Sequence, residues 1–457
     1  MSHIRSSSAL FKRLPLAVLV SLALAGTSQA QSLVDMYEMA KGYDAGYQAA
    51  KAQYEANLAK ADQGKAALLP TMALTGGATR NLLESHSSPF SQPYFADRAF
   101  TTQTAGVNAT QPLYRPANLA AYEQSQKALD AAQAALSQAE QDLIVRISQA
   151  YFDVLNAKDS QTFIQAQKSA VAEQLASAKR NFEVGTSTIT DTREAQARYD
   201  LVIAQEIAGD NDVRVKTVAL EILVGQSGVK PVNLTHNAAL PDAPATDVQE
   251  WITQSEQVHP GVVQARANLA IAQLETTKAV AGHKPTVDFS VGYNVQKNLN
   301  GTTIAALNSV NFSQTTVKSA GVSVTVPLFA GFATQNRVRE TVSLEDKARN
   351  DLEGAQRQVA QATRTAYLGL KSGLGQVKAL EAAEASSQAA LDANKLGYQV
   401  GVRINIDVLN SQSQLYQTKR DLAKARYDVL LGQLKLRQAS GTLKAEDLQS
   451  INALLQK

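Results

Sequence analysis

A tandem duplication is the feature that most constrains this chain. The stretch F-E-V-G-T-S-T-I-T-D recurs 216 positions later as Y-Q-V-G-V-R-I-N-I-D. In this alignment Gly401 corresponds to Gly185 and Asp407 corresponds to Asp191. In each copy a Val-Gly pair is followed, six residues after the glycine, by the aspartate. The chain therefore contains two copies of one structural plan, and each copy turns at this motif.

The first thirty residues predict a signal peptide. A basic start precedes an apolar run at 14–25, and S-Q-A at 28–30 is a small-residue cleavage site. The run is too short to span a bilayer, so we do not expect a retained anchor helix. We predict an exported protein whose leader, residues 1–30, is removed.

The charge balance of the mature chain excludes some classes of partner. Without the leader's Arg5, Lys12 and Arg13, the 44 basic residues fall to 41 and equal the 41 acidic ones. Nucleic-acid binding therefore has no electrostatic support. The chain has no cysteine and its five histidines are scattered without metal-ligand spacing. We predict neither an enzyme nor a cofactor or metal site.

Periodicity predicts the same order of elements in both halves. The first half reads as a helix, two strands joined by a polar loop, a very long helix without Pro or Gly, and a second helix, at residues 33–67, 71–80, 100–114, 118–180 and 191–224. The second half repeats this order of elements at residues 248–281, 286–295, 317–329, 333–396 and 406–440, although its long helix contains glycines. A polar loop lies at 297–316, and a short polar tail at 443–455 is compatible with a helix. The helix at 118–180 spans roughly 95 Å at 1.5 Å per residue, too long for the core helix of one domain.

These elements predict the division of the mature chain. The first structural repeat is residues 31–229 and the second is residues 248–443. A connector with three prolines, residues 230–247, lies between them in the equatorial region, and residues 444–457 form a C-terminal tail.

Four strands are too few to close a membrane barrel. An open sheet edge is not tolerated in lipid, and membrane barrels begin at about eight strands. No later run reaches eighteen apolar residues, so a membrane crossing has to use strands. Three copies would pool twelve strands, with the long helices prolonging the pore as a hollow tube. A soluble β-sandwich would show the same alternation in its strands.

The motifs of the chain resemble those of the TolC family of outer-membrane efflux and secretion ducts. The resemblance rests on L-L-P before the first strand, the strand endings Q-P-L-Y and V-P-L-F, V-G-x-x-x-x-x-D in both halves, and the closing A-R-Y-D-V-L-L-G-Q-L-K-L-R-Q-A-S-G-T-L. It implies a mixed α and β fold, in which a trimeric 12-stranded transmembrane β-barrel (four strands per chain) is continuous with a 12-helix periplasmic α-barrel. It also implies a homotrimer in outer-membrane lipid of a Gram-negative cell, a periplasmic adaptor (membrane fusion) protein and an inner-membrane pump of the ABC or RND type.

The resemblance also assigns gate residues. Tyr398 and Arg403 match the tyrosine and arginine that hold the inner helix pair closed, and Thr190 and Asp191 match their partners on neighbouring helices. On physical grounds alone, an Arg403–Asp191 contact could equally be a surface ion pair worth about 0–1 kcal/mol, and Tyr398 could be a packing residue.

The pore constriction departs from the family pattern. Asp407 matches the first of two aspartates whose rings line the constriction, but the second position is Asn410. A trimer then carries three carboxylates at the constriction rather than six, and we expect weaker cation selectivity and weaker block by trivalent ions. Asp407 could instead serve only as an acidic residue at its helix start, where Asn405 is the better cap by spacing.

The sequence therefore predicts an export duct for proteins (type I secretion) or small molecules. The alternative is a structural coiled-coil stalk or adhesin with a barrel anchor. Interspersed and duplicated strands favour the duct, because an adhesin is expected to carry one barrel-forming segment at its C-terminus.

Overall fold

The structure is a computed structural model that describes residues 31–83, 98–235, 240, 247–299, 302–304, 309–311 and 314–455. The predicted signal peptide, most of the loop at 84–98 and part of the connector lie outside the described residues.

The two halves of the chain contain the same order of elements. The first half comprises α1 Leu33–Tyr43, α2 Ala45–Ala66, β1 Thr71–Leu83, β2 Arg98–Tyr114, α3 Pro116–Glu183 and α4 Ile189–Val224. The second half comprises α5 Val248–Val258, α6 Pro260–Ala281, β3 Thr286–Asn298, β4 Thr302–Ile304, β5 Ser309–Asn311, β6 Gln314–Thr325, α7 Ala333–Gln399, α8 Asn405–Ala439 and the tail helix α9 Asp447–Asn452. The long helices α3 and α7 contain 68 and 67 residues, so each spans roughly 100 Å.

Two predicted helices are each broken in two, which corrects the sequence interpretation. Residues 33–67 break at Asp44, whose side chain accepts from the Tyr47 amide at 2.7 Å and binds Arg146 at 2.9 and 3.0 Å. Residues 248–281 break at His259, where Pro260 disfavours helical backbone in the residue before it. The second break was readable from the proline. At the first break the Asp44 side chain caps the following helix locally, and Arg146 adds a contact from a distant part of the sequence.

The strand ends also differ from prediction. The strand predicted to reach residue 329 ends at Thr325, just before the segment that contains Pro327. Proline has no amide hydrogen for the ladder, which accounts for the early end. The polar loop predicted at 297–316 contains the two short paired strands β4 and β5.

The main sheet has the antiparallel order β1-β2-β3-β6, so β1 and β6 are its outer strands. Its register aligns Leu74, Val107 and Tyr293 on one face, and Thr75, Gly106 and Asn294 on the other. The first face is largely apolar and exposed in the single chain: Leu74 is 81% accessible and Val322 is 60%. The sheet therefore has one polar face and one apolar face, and no described residue packs on the apolar face.

A small residue leaves room for a pair of asparagine side chains on the polar face. The Asn294 amide donates to Asn108 at 3.1 Å. A side chain at Gly106 would clash with Asn294, because an added Cβ would lie 1.9 Å from its Oδ1. At the helix end of the sheet, Arg115 binds Asp288 through two hydrogen bonds of 2.8 and 2.7 Å, which joins β3 to the start of α3.

The largest core lies where α1, α3, α8 and α9 meet. Tyr37, Ile147, Leu430 and Ile451 are buried together there. The Tyr151 hydroxyl donates to the Val232 carbonyl at 2.8 Å, which joins the start of the connector to this core. Smaller clusters follow the helices toward the two duplicated turns. This core thus holds the middle of α3, from Leu143 to Leu155, while the far ends of the long helices carry the predicted gate.

None of the described helices combines the length and the apolar character needed to cross a membrane.

Candidate pore constriction and gate

The two duplicated turns share one backbone conformation. Gly185 and Gly401 have φ angles of 78° and 79°, in the left-handed region that side chains with a Cβ disfavour. The Thr186 amide donates to the Asn181 carbonyl at 2.8 Å, and the Val402 amide to the Gly397 carbonyl at 2.9 Å. This pattern satisfies carbonyls at the ends of α3 and α7 and turns the chain sharply into the next helix.

In the first turn, Asp191 caps its own helix. Its carboxylate accepts from the Thr188 amide at 2.9 Å, the Thr188 hydroxyl at 2.8 Å and the Ser187 hydroxyl at 3.1 Å. The Thr188 hydroxyl in turn accepts from the Asp191 amide at 3.2 Å, which completes a capping box. Burial alone would raise the pKa of Asp191, but the hydrogen bonds from Thr188 and Ser187 outweigh it and hold that pKa below its ordinary value. The Asp191 carboxylate is thus engaged inside its own chain.

In the second turn, the equivalent carboxylate is not used as a cap. Ile404 occupies the N-cap position and provides no side-chain hydrogen bond, and Asp407 lies in the first turn of α8. The Arg403 Nη1 atom lies 3.7 Å from the Asp407 Oδ2 atom. Asp407 is therefore left at the helix start, half-buried and close to one arginine.

The prediction that Asn405 caps α8 is wrong. Asn405 is the first helical residue and is fully buried. Its amide donates to the Asp191 carbonyl at 3.1 Å, and its Oδ1 accepts from Gln174. A polar side chain in this position fastens the second turn to the first one, because both of its hydrogen bonds reach across to α3 and α4.

Tyr398 also links the α7–α8 helix pair to the α3–α4 helix pair. Its hydroxyl accepts from the Asn181 amide at 3.3 Å, and its ring packs against the cluster of Leu391, Val408 and Leu415. The side chain therefore contributes both to packing and to a polar contact with α3.

The structure brings all six predicted site residues to the same end of the long helices. Thr190 and Asn410 are exposed there. Within the chain, however, Arg403 lies against Asp407, and Asp191 is bound by Thr188 and Ser187. Links from Tyr398 and Arg403 to Thr190 and Asp191 on neighbouring helices stay a prediction.

The sequence interpretation missed several contributors to this region, among them Thr188, Arg198 and Gln174. Thr188 was readable, since a threonine three residues before an aspartate is a capping-box pattern. Arg198 donates to Asn410 at 2.8 Å, and Gln174 binds Asn405. No local motif marks these two residues, because their partners lie more than 200 positions away in sequence.

No cluster of His, Asp or Glu that could hold a metal ion occurs within the described ranges.

Comparisons with known proteins place this architecture in a family. The sequence model of the outer membrane efflux protein family matches residues 37–226 and 251–442. The chain is 32% identical over 443 residues to the outer membrane protein TolC of Vibrio cholerae, covering 97% of this chain and 98% of that one. It is 29% identical to the alkaline protease secretion protein AprF of Pseudomonas aeruginosa, covering 93% and 87% of the two chains.

The fold is that of solved outer-membrane channels. The crystal structure of the outer membrane protein VceC from Vibrio cholerae matches with a TM-score of 0.74 and 19% identity, covering 90% of this chain and 96% of that one. The predicted fold class is confirmed: four strands per chain for a trimeric 12-stranded β-barrel, continuous with a 12-helix α-barrel. The chain belongs to the outer membrane efflux protein family, whose channels extend from the outer membrane into the periplasm and serve efflux or secretion.

Proposed function

We propose that three copies of this chain form one duct that exports cargo received from an inner-membrane pump through a periplasmic adaptor protein. The observation that carries the proposal is the four-stranded sheet with its exposed apolar face and its outer strands β1 and β6. Three such sheets joined edge to edge give twelve strands, an even number in the range of bacterial membrane barrels. The apolar face then meets lipid, and the polar face with Asn108 and Asn294 lines the lumen.

The pump is of the ABC or RND type and the cargo is protein or small molecules. Protein cargo is supported by the names of two relatives, the proteases secretion protein PrtF and the alkaline protease secretion protein AprF. Small-molecule cargo is supported by a third relative, the outer membrane efflux protein BepC. The duct guides cargo without catalysing a reaction on it.

At the inner end of the duct, we assign the constriction to Asp407 and Asn410. One carboxylate per chain gives a ring of three charges, which supports a weaker preference for cations than a ring of six. The gate links are Tyr398 and Arg403 with Thr190 and Asp191 of neighbouring helices. In this arrangement Arg403 exchanges its contact with Asp407 for a contact on a neighbour when the gate closes.

The alternative, a barrel-anchored stalk or adhesin, is less well supported. The strands of the sheet come from both halves of the chain, and the helices connect directly to them. A passive stalk gives no reason for two turns that share one backbone but place their aspartates differently.

Single-channel recording of the purified mature protein in a planar bilayer tests this function. We expect a discrete conductance from a preparation that cross-links as a trimer, and a rise in leak conductance for Arg403→Gln. A trimer without conductance supports the stalk, and a monomer contradicts both proposals.

Ion selectivity tests the constriction separately. Asp407→Asn is expected to lower the cation-to-anion permeability ratio and Asn410→Asp to raise it. Asp421→Asn is the matched control, because it lies several helical turns farther along α8 and is expected to leave the ratio unchanged. A fall in the ratio for Asp421→Asn as large as that for Asp407→Asn contradicts the assignment, and so does an unchanged ratio for Asp407→Asn.

A further inference from the structure

A polar groove of about 430 Å³ lies between α3, α4 and α8, beside the constriction. Arg198 and Arg420 line it together with glutamine, serine, asparagine and two apolar side chains, and its lining includes no Asp or Glu. The groove is formed within one chain. It therefore combines two positive charges with only neutral polar groups.

Both guanidinium groups bind amide oxygens rather than carboxylates. Arg198 donates to Asn410 at 2.8 Å, while Arg420 donates to Gln167 at 3.1 Å and to Gln417 at 2.8 Å. Within the described part of the chain, neither arginine has a carboxylate oxygen within 4.0 Å. Neutral oxygens orient a guanidinium group but leave its charge uncompensated.

This arrangement disfavours the charged form of the Arg420 side chain. Burial lowers the pKa of its guanidinium, and attraction to Asp421 opposes that shift. Asp421 itself accepts a hydrogen bond from Gln417 and is not part of the groove lining. A half-buried cation without a close counter-charge is more stable when an anion is bound next to it.

Two further polar atoms in the groove lack partners. The Ser413 Oγ and Gln205 Oε1 atoms are buried and make no hydrogen bond to any described residue. A serine hydroxyl can donate to an anion. Of the two atoms, only the Ser413 hydroxyl can serve an anion held between the two arginines, because the Gln205 Oε1 atom accepts hydrogen bonds and donates none.

The spacing of the lining residues indicates the shape of that ligand. Asn410, Ser413, Gln417 and Arg420 lie three or four positions apart, on one face of α8. Arg198 contacts this face at Asn410, and Arg420 follows Asn410 by ten residues, which is roughly 15 Å along the axis of α8. We propose that this groove binds an anion with two or more carboxylates, one contacting Arg198 and another contacting Arg420.

Asn410 has a specific role in this proposal. An aspartate in its place would put a carboxylate next to Arg198 and supply the missing counter-charge from within the chain. Asparagine has the same shape and keeps the hydrogen bond, but leaves the charge of Arg198 available to a ligand. Asn410→Asp therefore competes with the ligand without changing the size of the side chain.

Isothermal titration of the detergent-solubilised protein with citrate, at constant ionic strength, tests the site. Wild type is expected to give a saturable binding heat. Arg198→Gln, Arg420→Gln and Asn410→Asp are each expected to weaken citrate binding about tenfold or more, since charge-assisted hydrogen bonds are lost or diverted. The matched control is Arg193→Gln, which removes the same charge from an exposed position on α4 outside the groove and is expected to leave the affinity unchanged.

Several results overturn the proposal. Absence of saturable heat with wild type shows that the arginines serve only to hold α8 against α3 and α4. An equal loss in Arg193→Gln shows a general charge effect, and inorganic phosphate binding as tightly as citrate contradicts the two-carboxylate arrangement. Folding of each variant is checked by its trimer band and its circular dichroism. The assay needs no open channel or partner, so its failure leaves the proposed duct intact.

Discussion

The turn between α3 and α4 and the turn between α7 and α8 are copies of one motif with different chemistry. Their glycines have nearly the same φ and their backbone hydrogen bonds match. The first turn places Thr188 at the N-cap, and Asp191 completes a capping box with it. The second turn places Ile404 at the equivalent position, so Asp407 receives no such partner.

This difference separates a structural aspartate from an available one. A capping box satisfies backbone amides that otherwise lack partners at a helix start. The second copy lacks this local stabilisation, and buried Asn405 instead joins its helix start to the Asp191 carbonyl. Asp407, in the copy that we assign to the constriction, therefore does not cap its helix. As a consequence, the start of α8 depends for its stability on a contact with the α3–α4 turn.

The largest predicted effect breaks the link between the two turns. Asn405→Leu removes both cross-hairpin hydrogen bonds and leaves the Asp191 carbonyl without this donor, which is expected to cost about 1–3 kcal/mol. Hydrogen exchange followed by mass spectrometry measures how far the free energy of local opening at the start of α8 decreases. Ile189→Ala is the control at the equivalent position in the first copy, where the side chain is 49% exposed. Equal losses in the two variants contradict the anchoring role of Asn405.

The next effect removes the cap from the first turn. Thr188→Ala is expected to destabilise the start of α4 by about 1 kcal/mol, because the Asp191 amide loses its acceptor and the Asp191 carboxylate loses one of its three donors. Hydrogen exchange at the start of α4 measures this destabilisation. Ile404→Ala, which removes no capping hydrogen bond, is expected to change the start of α8 by less than about 0.5 kcal/mol. The comparison fails if the two substitutions cost the same.

A smaller effect converts the second turn into a copy of the first. Ile404→Thr is expected to stabilise the start of α8 by about 0.5–1 kcal/mol, since Asp407 can then complete a capping box. Slower exchange at α8 is the first measurement. A lower cation preference in single-channel recording is the second, because the capping carboxylate is drawn away from the pore. Unchanged exchange shows that the cap position alone does not decide how Asp407 is used.

The smallest expected effect on stability comes from Arg403. Its contact with Asp407 is 3.7 Å long and its side chain is 58% exposed, so Arg403→Gln is expected to cost about 0.3 kcal/mol. Thermal unfolding checks this expectation. The same variant is expected to raise the leak conductance, so a large stability loss without a change in leak contradicts a gating role.

Much of the fold could be predicted from local pattern. The strand alternation, the long segment without Pro or Gly at 118–180 and the glycine turns each depend on residues close together in sequence. The capping box at Thr188 belongs to the same class of signal and could also have been found. The break at Asp44 was missed although its cap on the Tyr47 amide is local, and only the contact with Arg146, about a hundred positions away, had no local signal.

The sequence by itself determined the duplication, the four strands of the main sheet and the positions of both turns, because periodicity and backbone restrictions act over a few residues. Only the tertiary structure decided the use of each polar side chain at the gate. Asn405 changed from a predicted cap to a buried anchor, and Asn410 became the partner of Arg198. The physical reason is that hydrogen bonds and burial between helices depend on which faces meet, and no local pattern in one helix specifies its neighbour's side chains.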